Sequence, residues 1–412
     1  MTRLGPYELI RPLAQGGMAD LYLARRAGAA EPGRQVALKV LNERRALDAE
    51  TRALFLHEAR VCALLDHPNV ASVLEVDVAE GHHYLAMEYV HGVDLRELVG
   101  AAARAGRDVP YAIAIVIAAA AAAGLDHAHR RCDGEGRPLR LVHRDVSLSN
   151  IMVGHDGAVK VVDFGIASTT ISDVHTLPGV VRGKASYMSP EQCLGDELDH
   201  RTDVFALGVV LYELTTGARC FHGKSDFERM LAVVRGDYIA PSVIVAEYPP
   251  ELEQVVRTAL ASSPDRRYAS CAVMIEALEA VLAGRGWTGS AGAIARLMAE
   301  LFPAGVAPAA VDAEPAVTAA EPAITARQSP FALADCGAIP FHALAIASAP
   351  TQPKRPLARG SATELARPVV TARLAGAPAP ARPKPARSPS LDDDDAPTRG
   401  CTTRLPWSFT AK

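Results

Sequence analysis

The spacing of apolar residues changes character along this chain, and each change marks a different kind of element. In the first ninety residues the runs are short. Tyr7–Leu13, Leu21–Ala24 and Gln35–Leu41 carry alternating or β-branched patterns that predict strands. A helical pattern interrupts them from about Asp48 to Leu65, with Leu54, Val61 and Leu65 at helical spacing and Asp48 placed as N-cap. Two further strands are predicted at Val73–Ala79 and His83–Glu88. From Asp94 to Gly284 the pattern is mainly helical. Ser225 and Glu228 have capping-box spacing ahead of MLAVV, Pro249 and Pro250 suit a first helical turn, and Ser270 is expected to open a helix that Gly284 closes. A shorter helix at about Ser290–Phe302 has one apolar face and is expected to pack against the domain. No internal repeat is found.

The order stops near residue 303. Beyond it Ala and Pro dominate, as in APAPARPKPARSPS. So few large apolar groups do not offset the entropy of ordering a chain, so Pro303–Lys412 is expected to be disordered. This tail ends with the acidic run Asp392–Asp395 and a small aromatic cluster, Trp407 and Phe409.

Composition narrows the class. With 412 residues and 49% apolar content the chain can build one large two-lobed domain. A net charge of -4 gives no electrostatic argument for nucleic acid. The seven cysteines are scattered with no CxxC pair, so neither a disulfide framework nor a structural zinc site is expected, and a cytoplasmic location fits. The N-terminus has no basic-then-apolar leader pattern. The most apolar run, Tyr111–Leu125, is Ala-rich and shorter than the roughly 18–20 residues of a membrane span, so it is expected to be a buried helix and not a span.

Candidate chemistry begins with three oxygen-bearing side chains. Asp145 lies in His143-Arg144-Asp145, Asn150 follows five residues later, and Asp163 opens Asp163-Phe164-Gly165. A loop and the strand hairpin after it can gather all three. Magnesium takes hard oxygen donors, which Asn150 and Asp163 can supply while Asp145 accepts a proton. Lys39 ends the strand Val36-Ala37-Leu38-Lys39, where an ammonium can point into a cleft, and Glu58 lies mid-helix as its carboxylate partner. Gly16 and Gly17 sit between two strands in LAQGGMADL, where the backbone can approach phosphate oxygens.

In this order and spacing the pieces resemble the eukaryotic-like (Hanks-type) bacterial Ser/Thr protein kinases, over roughly Tyr7 to Gly284. The run continues with Ser189-Pro190-Glu191, Asp203-Val204-Phe205-Ala206-Leu207-Gly208 and Pro264-Asp265-Arg266-Arg267. The resemblance implies an α+β, bilobal fold, with a small β-rich N-lobe over 7–90, a mainly helical C-lobe over 91–284, a short helical extension over 285–302 and a disordered C-terminal tail over 303–412. It implies transfer of the γ-phosphoryl group of Mg-ATP to protein Ser/Thr hydroxyls, with Asp145 as proton acceptor, Lys39 on the phosphates beside Glu58, and Mg2+ on Asn150 and Asp163. Glu191 and Arg267 would form a structural ion pair, and Asp203 would support the catalytic loop. Met87 falls at the gatekeeper position. Backbone groups of Glu88 and Val90 would bond adenine, and Leu13, Leu21, Ala37 and Met152 would sandwich its ring above the loop of Ala14, Gly16 and Gly17.

The chain departs from the family pattern in two places. Ala14 and Ala19 stand where the glycine loop usually has Gly, which predicts a stiffer loop and weaker nucleotide binding. Ser147 stands where Ser/Thr members carry Lys, and Lys184 follows Gly183 where they carry Thr. The paired exchange predicts a swap, in which Lys184 delivers the ammonium and Ser147 the hydroxyl. Ser147 also removes the usual Ser/Thr marker, which leaves tyrosine as an alternative acceptor. A non-catalytic scaffold is the competing class, against which Lys39, Glu58, Asp145, Asn150 and Asp163 all stand intact; a small-molecule phosphotransferase typically lacks the SPE segment and Arg267 partner. The resemblance further implies autophosphorylation within 166–182, with Thr169, Thr170, Ser172 and Thr176 as acceptors, Arg144 as receiver of the phosphate, and a homodimer for the reaction in trans.

Overall fold

Tyr7–Gln15 (β2) and Ala19–Arg26 (β3) form an antiparallel hairpin, flanked by the short Arg3–Leu4 (β1) and followed by Gln35–Leu41 (β4), Val73–Ala79 (β5) and His82–Glu88 (β6). In this computed structural model, which describes residues 2–28, 34–42, 48–164 and 184–303, they make a six-stranded sheet in the order β1-β2-β3-β4-β6-β5. Register sorts the side chains, because directly opposed residues share a face. Leu21 faces Lys39 and Lys39 faces Leu85; Leu23 faces Ala37 and Ala37 faces Met87. This row is one face. The other face buries Leu4, Tyr7, Leu38 and Tyr84 in a separate cluster.

The helix Ala49–Cys62 (α1) covers the Lys39 face. Asp48 starts it by accepting the Glu50 and Thr51 amides. Phe55 and Ala59 pack with Leu41 and Leu85, and burying a ring such as Phe55 contributes about 2–3 kcal/mol. The sequence pattern placed Leu54 on the buried stripe and ran the helix to Leu65. The helix instead ends at Cys62, Leu54 is half-buried, and Leu65 lies past the end in the core of the other lobe.

The second lobe is mainly helical. It comprises Gly92–Asp94 (β7), Leu95–Arg104 (α2), Tyr111–His129 (α3), Ile151–Gly154 (β8), Val159–Val161 (β9), Pro190–Leu194 (α4), Arg201–Thr216 (α5), Asp226–Arg235 (α6), Pro241–Ile244 (α7), Pro250–Ala259 (α8), Cys271–Arg285 (α9) and Ala291–Leu301 (α10). By length and composition α3 could cross a membrane. Here it is the central strut, with Ile113, Ile115, Ile117 and Leu125 buried among α5 and α9 residues. β7, β8 and β9 form a small antiparallel sheet beside it.

Two helix caps in this lobe differ in detail from the sequence expectation. Gly284 lies inside α9, and Gly286, at φ +63°, is the left-handed C-cap. Ser225 caps α6 by accepting the Glu228 amide, but the Glu228 carboxylate reaches the Lys224 amide at 2.7 Å, so the box is not closed on Ser225. The tail expected to be disordered lies outside the described residues from 304 onward, as do Gly165 and Thr169, Thr170, Ser172 and Thr176.

Candidate active site

The site lies where the Lys39 face of the sheet meets the loop before β8. Lys39 Nζ donates to Glu58 Oε1 at 2.7 Å and to Asp163 Oδ1 at 3.2 Å. One ammonium therefore joins β4, α1 and the segment after β9. Burial opposes the charge on Lys39, but Asp163 and Glu58 outweigh it and hold the group above the usual lysine range. Burial pushes the Glu58 carboxyl upward, against the pull of Lys39.

The catalytic-loop candidates are held from below. Asn150 donates its side-chain amide to the Asp145 carbonyl at 2.7 Å and to Asp145 Oδ2 at 2.9 Å. That fixes the Asp145 carboxylate and directs the Asn150 amide oxygen elsewhere. His143 is fully buried; its Nδ1 accepts the Asp145 amide at 3.2 Å and its Nε2–H donates to the Val162 carbonyl at 3.1 Å. This bridge ties Asp145 to the strand that leads to Asp163. The Phe164 ring lies against His143, centroids 4.5 Å apart. Arg144 and Asp163 are both non-glycine residues at positive φ, +67° and +53°. Such backbone costs about 1–3 kcal/mol and persists only where surrounding bonds over-determine it.

At Arg144, Asp203 supplies such bonds. Wholly buried on α5, it accepts the His143 amide at 2.8 Å, the Arg144 amide at 2.9 Å and His129 Nε2 at 2.7 Å. Burial disfavours its charge, but His129 and His143 hold the carboxyl below the usual range. Gln192 on α4 donates to the Arg144 carbonyl at 2.9 Å. Farther out, Arg267 grips Glu191 in a buried fork at 2.6 and 2.7 Å, and Thr202 donates to Glu191 at 2.8 Å. Burial works against the Glu191 charge; Arg267 and Thr202 more than offset it, leaving the carboxyl below its usual range.

Sheet register fixes the placement of several predicted ring-binding residues. Leu21, Ala37 and Met87 share the Lys39 face through their register, with Ala14 opposite Leu21. Leu13 sits in a bulge between Pro12 and Ala14. Gly16 and Gly17 form the exposed turn between β2 and β3, tied down by Asn42 Nδ2 donating to the Gly16 carbonyl at 2.9 Å. In the second lobe Met152 on β8 pairs with Asp94 on β7, and Val90 is buried at the crossing between lobes. Glu88 uses its amide on the Ser72 carbonyl at 2.8 Å, and its carboxylate pairs with Lys160 at 2.9 Å. Ser147 is buried, and among the described residues its hydroxyl has no hydrogen-bond partner. Lys184 begins a 3-10 turn, Lys184–Tyr187, and its side chain lies outside the described residues.

Sequence reasoning missed His129, Gln192 and Lys160 as members of this network. His129 ends an apolar helix and carries no motif; Gln192 follows Glu191 as the N3 partner of Ser189 in the α4 capping box, which was the readable signal.

Among the described residues no group of three or more His, Cys, Asp or Glu could hold a metal ion. Asp163 and the Asn150 amide oxygen, which Asn150 turns away from Asp145, are hard donors of the kind magnesium takes. The residues present fit that ion.

A family model described as "Protein kinase domain" matches residues 7–278. Over 278 residues the chain is 40% identical to "Tyrosine-protein kinase MasK" of Myxococcus xanthus, covering 68% of this chain and 43% of that one. Over 276 residues it is 40% identical to "Serine/threonine-protein kinase PknB" of Mycolicibacterium smegmatis, covering 65% and 41%. The chain thus spans about two fifths of the length of these curated relatives. Among solved structures, the PknI kinase domain of Mycobacterium tuberculosis matches with a TM-score of 0.50 at 29% identity, covering 68% of this chain and 96% of that one.

Proposed function

This chain belongs to the protein kinase domain family, and from that premise we propose that it transfers the γ-phosphoryl group of ATP to hydroxyls of proteins. The observation that carries the proposal is the single Lys39 ammonium bonded to Glu58 and Asp163 at once, with Asp145 and Asn150 bonded to each other on the facing loop. A scaffold has no use for this arrangement.

Each residue has its task. Lys39 neutralises phosphate oxygens and is aimed by Glu58. Asp145 accepts the proton of the attacking hydroxyl at its carboxylate, which Asn150 orients through Oδ2. The acceptor oxygen forms a bond to the γ-phosphorus as the bridging bond to ADP breaks. Magnesium would supply charge neutralisation on the phosphates when bound, and Asn150 and Asp163 would be the residues to hold it. Leu13, Leu21, Ala37 and Met152 supply the apolar walls for adenine, Met87 stands at the gatekeeper position, and main-chain groups of Glu88 and Val90 supply its edge. Lys184 supplies a second ammonium beside the transferred phosphate, in place of one at Ser147. Autophosphorylation within 166–182, read out by Arg144, and a homodimer for transfer in trans belong to the same proposal, as does a cytoplasmic location.

Ser and Thr are the proposed acceptors, in keeping with the PknB relatives. Tyrosine is the second reading, favoured by Ser147 and by the relative named a tyrosine-protein kinase. Incubation of the full chain with γ-labelled ATP, magnesium and a mixed protein acceptor tests both. Label on Ser/Thr that vanishes in Asp145→Asn is expected. Label on tyrosine alone selects the second reading, and no label from wild type removes the enzyme.

A further inference from the structure

The matched family segment ends at residue 278, inside α9, yet the chain beyond α9 returns to touch the site's own framework. After Arg285 the chain turns at Trp287, whose indole stacks on Tyr111 with centroids 5.7 Å apart. Ser290 then caps α10 by accepting the Ala293 amide at 3.2 Å. Ile294 and Met298 are fully buried, and Arg107, beyond α2, donates to Glu300 at 2.7 Å. The start of α10 sits on the β8–β9 turn. Gly157 there has φ +83°, and a Cβ on it would lie 1.9 Å from the Ala291 carbonyl oxygen. At the far end Phe302 meets the His155 ring edge-on, centroids 6.5 Å apart. The His155 amide in turn donates to the His91 carbonyl at 2.8 Å, at the start of β7.

The same hairpin carries Asn150 just before β8 and Asp163 two residues after β9. Its strands are four and three residues long, and β7 adds three more. A sheet this small has little stability of its own; Val161 is bonded to Asn69 and Ala71 toward its open end, and α10 holds the opposite turn, so the two anchors together set Asn150 and Asp163. We propose that α10 is a positioning element for the nucleotide and metal site. It clamps the turn at 154–157 and thereby sets the placement of Asn150 and Asp163, so the catalytic unit runs to Phe302. The catalytic consequence rests on the kinase proposal; the mechanical coupling does not. If α10 merely covered apolar surface on α2 and α3, its loss would lower stability and leave the hairpin unchanged.

The test uses the full chain with two variants. Met298→Asp puts a carboxylate into the buried contact. Gly157→Asn is milder: Asn tolerates positive φ, but its Cβ must displace Ala291. Hydrogen exchange is followed by peptide mapping, and kcat and KM are measured for Mg-ATP and for the acceptor. In both variants residues 291–301 lose protection, amides of 151–161 exchange about tenfold faster, and KM for Mg-ATP rises about fivefold while KM for the acceptor stays put. Lost protection in 291–301 with hairpin exchange and KM for Mg-ATP at wild-type values overturns the proposal. Should Met298→Asp not fold, Gly157→Asn decides by the same criteria. If wild type transfers no phosphate, the kinase proposal falls on its own and the exchange rates still decide the coupling.

Discussion

The carboxylate of Asp203 accepts the backbone amide of Arg144 at 2.9 Å and so helps hold a non-glycine residue at φ +67°, one position before Asp145. Its other oxygen takes both His129 and the His143 amide. In Asp203→Asn an NH2 group must replace one of these acceptors and face a donor. Losing one or two buried, charge-assisted bonds at about 1.5–3 kcal/mol each is expected to lower kcat on the order of 10²-fold. KM for ATP should move far less, because Asp203 touches the loop and not the nucleotide side. Steady-state kinetics check the split.

Lys39 is held by two carboxylates, and they are not equivalent in a substitution. Glu58→Gln keeps a hydrogen-bonding shape and drops the charge that aims the ammonium, so KM for ATP is expected to rise roughly tenfold. Lys39→Met removes the cation itself and is expected to cost on the order of 10²-fold or more in kcat. Calorimetric ADP binding alongside the kinetics separates the two effects.

The fork between Arg267 and Glu191 gives a pH signature in stability. Glu191 sits below its usual range in the folded chain, so its stabilisation is present above the unfolded carboxylate value, about pH 4.3, and is lost as pH falls through the folded value. Glu191→Gln leaves Arg267 buried with a neutral partner, a loss of about 3–5 kcal/mol. The difference in thermal midpoint between wild type and Glu191→Gln should be large at pH 7 and shrink below about pH 4. Calorimetric scans across pH measure it.

Lys184 is predicted to deliver the ammonium that Ser147 lacks. Lys184→Ala is expected to reduce turnover on the order of 10²-fold with nucleotide affinity little changed. Single-turnover transfer beside ADP binding distinguishes them, and near-normal turnover would remove Lys184 from the chemistry.

Long, strongly patterned elements were legible in the sequence because their signals are local. Asp48, Ser270 and Ser290 each cap the helix they announce, and β4 and β5 match their predicted spans. β1 and β7 were not foreseen, since two or three residues cannot display a period, whereas β8 and β9 are the hairpin expected between Asn150 and Asp163. Gly284 and Gly286 look alike as helix stops in the sequence, and only the backbone conformation at Gly286 identifies the cap. In the site, Lys39 meets Glu58 and Asp163, and Asn150 meets Asp145; these are pairings between motifs, and motif order is what the sequence displays. The His129 bond to Asp203 spans 74 residues and the Lys160 pair with Glu88 joins β9 to β6; nothing local in the chain announces either.

That last pair has a bearing on selective inhibition. The Glu88 carboxylate is engaged by Lys160 and by the Ser72 amide at 3.3 Å, so the acidic side chain at the lobe crossing is already committed within the protein. A heterocycle competing for the adenine edge would find no salt-bridge handle at Glu88 and would address main chain alone. Discrimination among related enzymes would then fall to the thioether of Met87, a side chain that adapts its shape to a wedge more readily than a branched one.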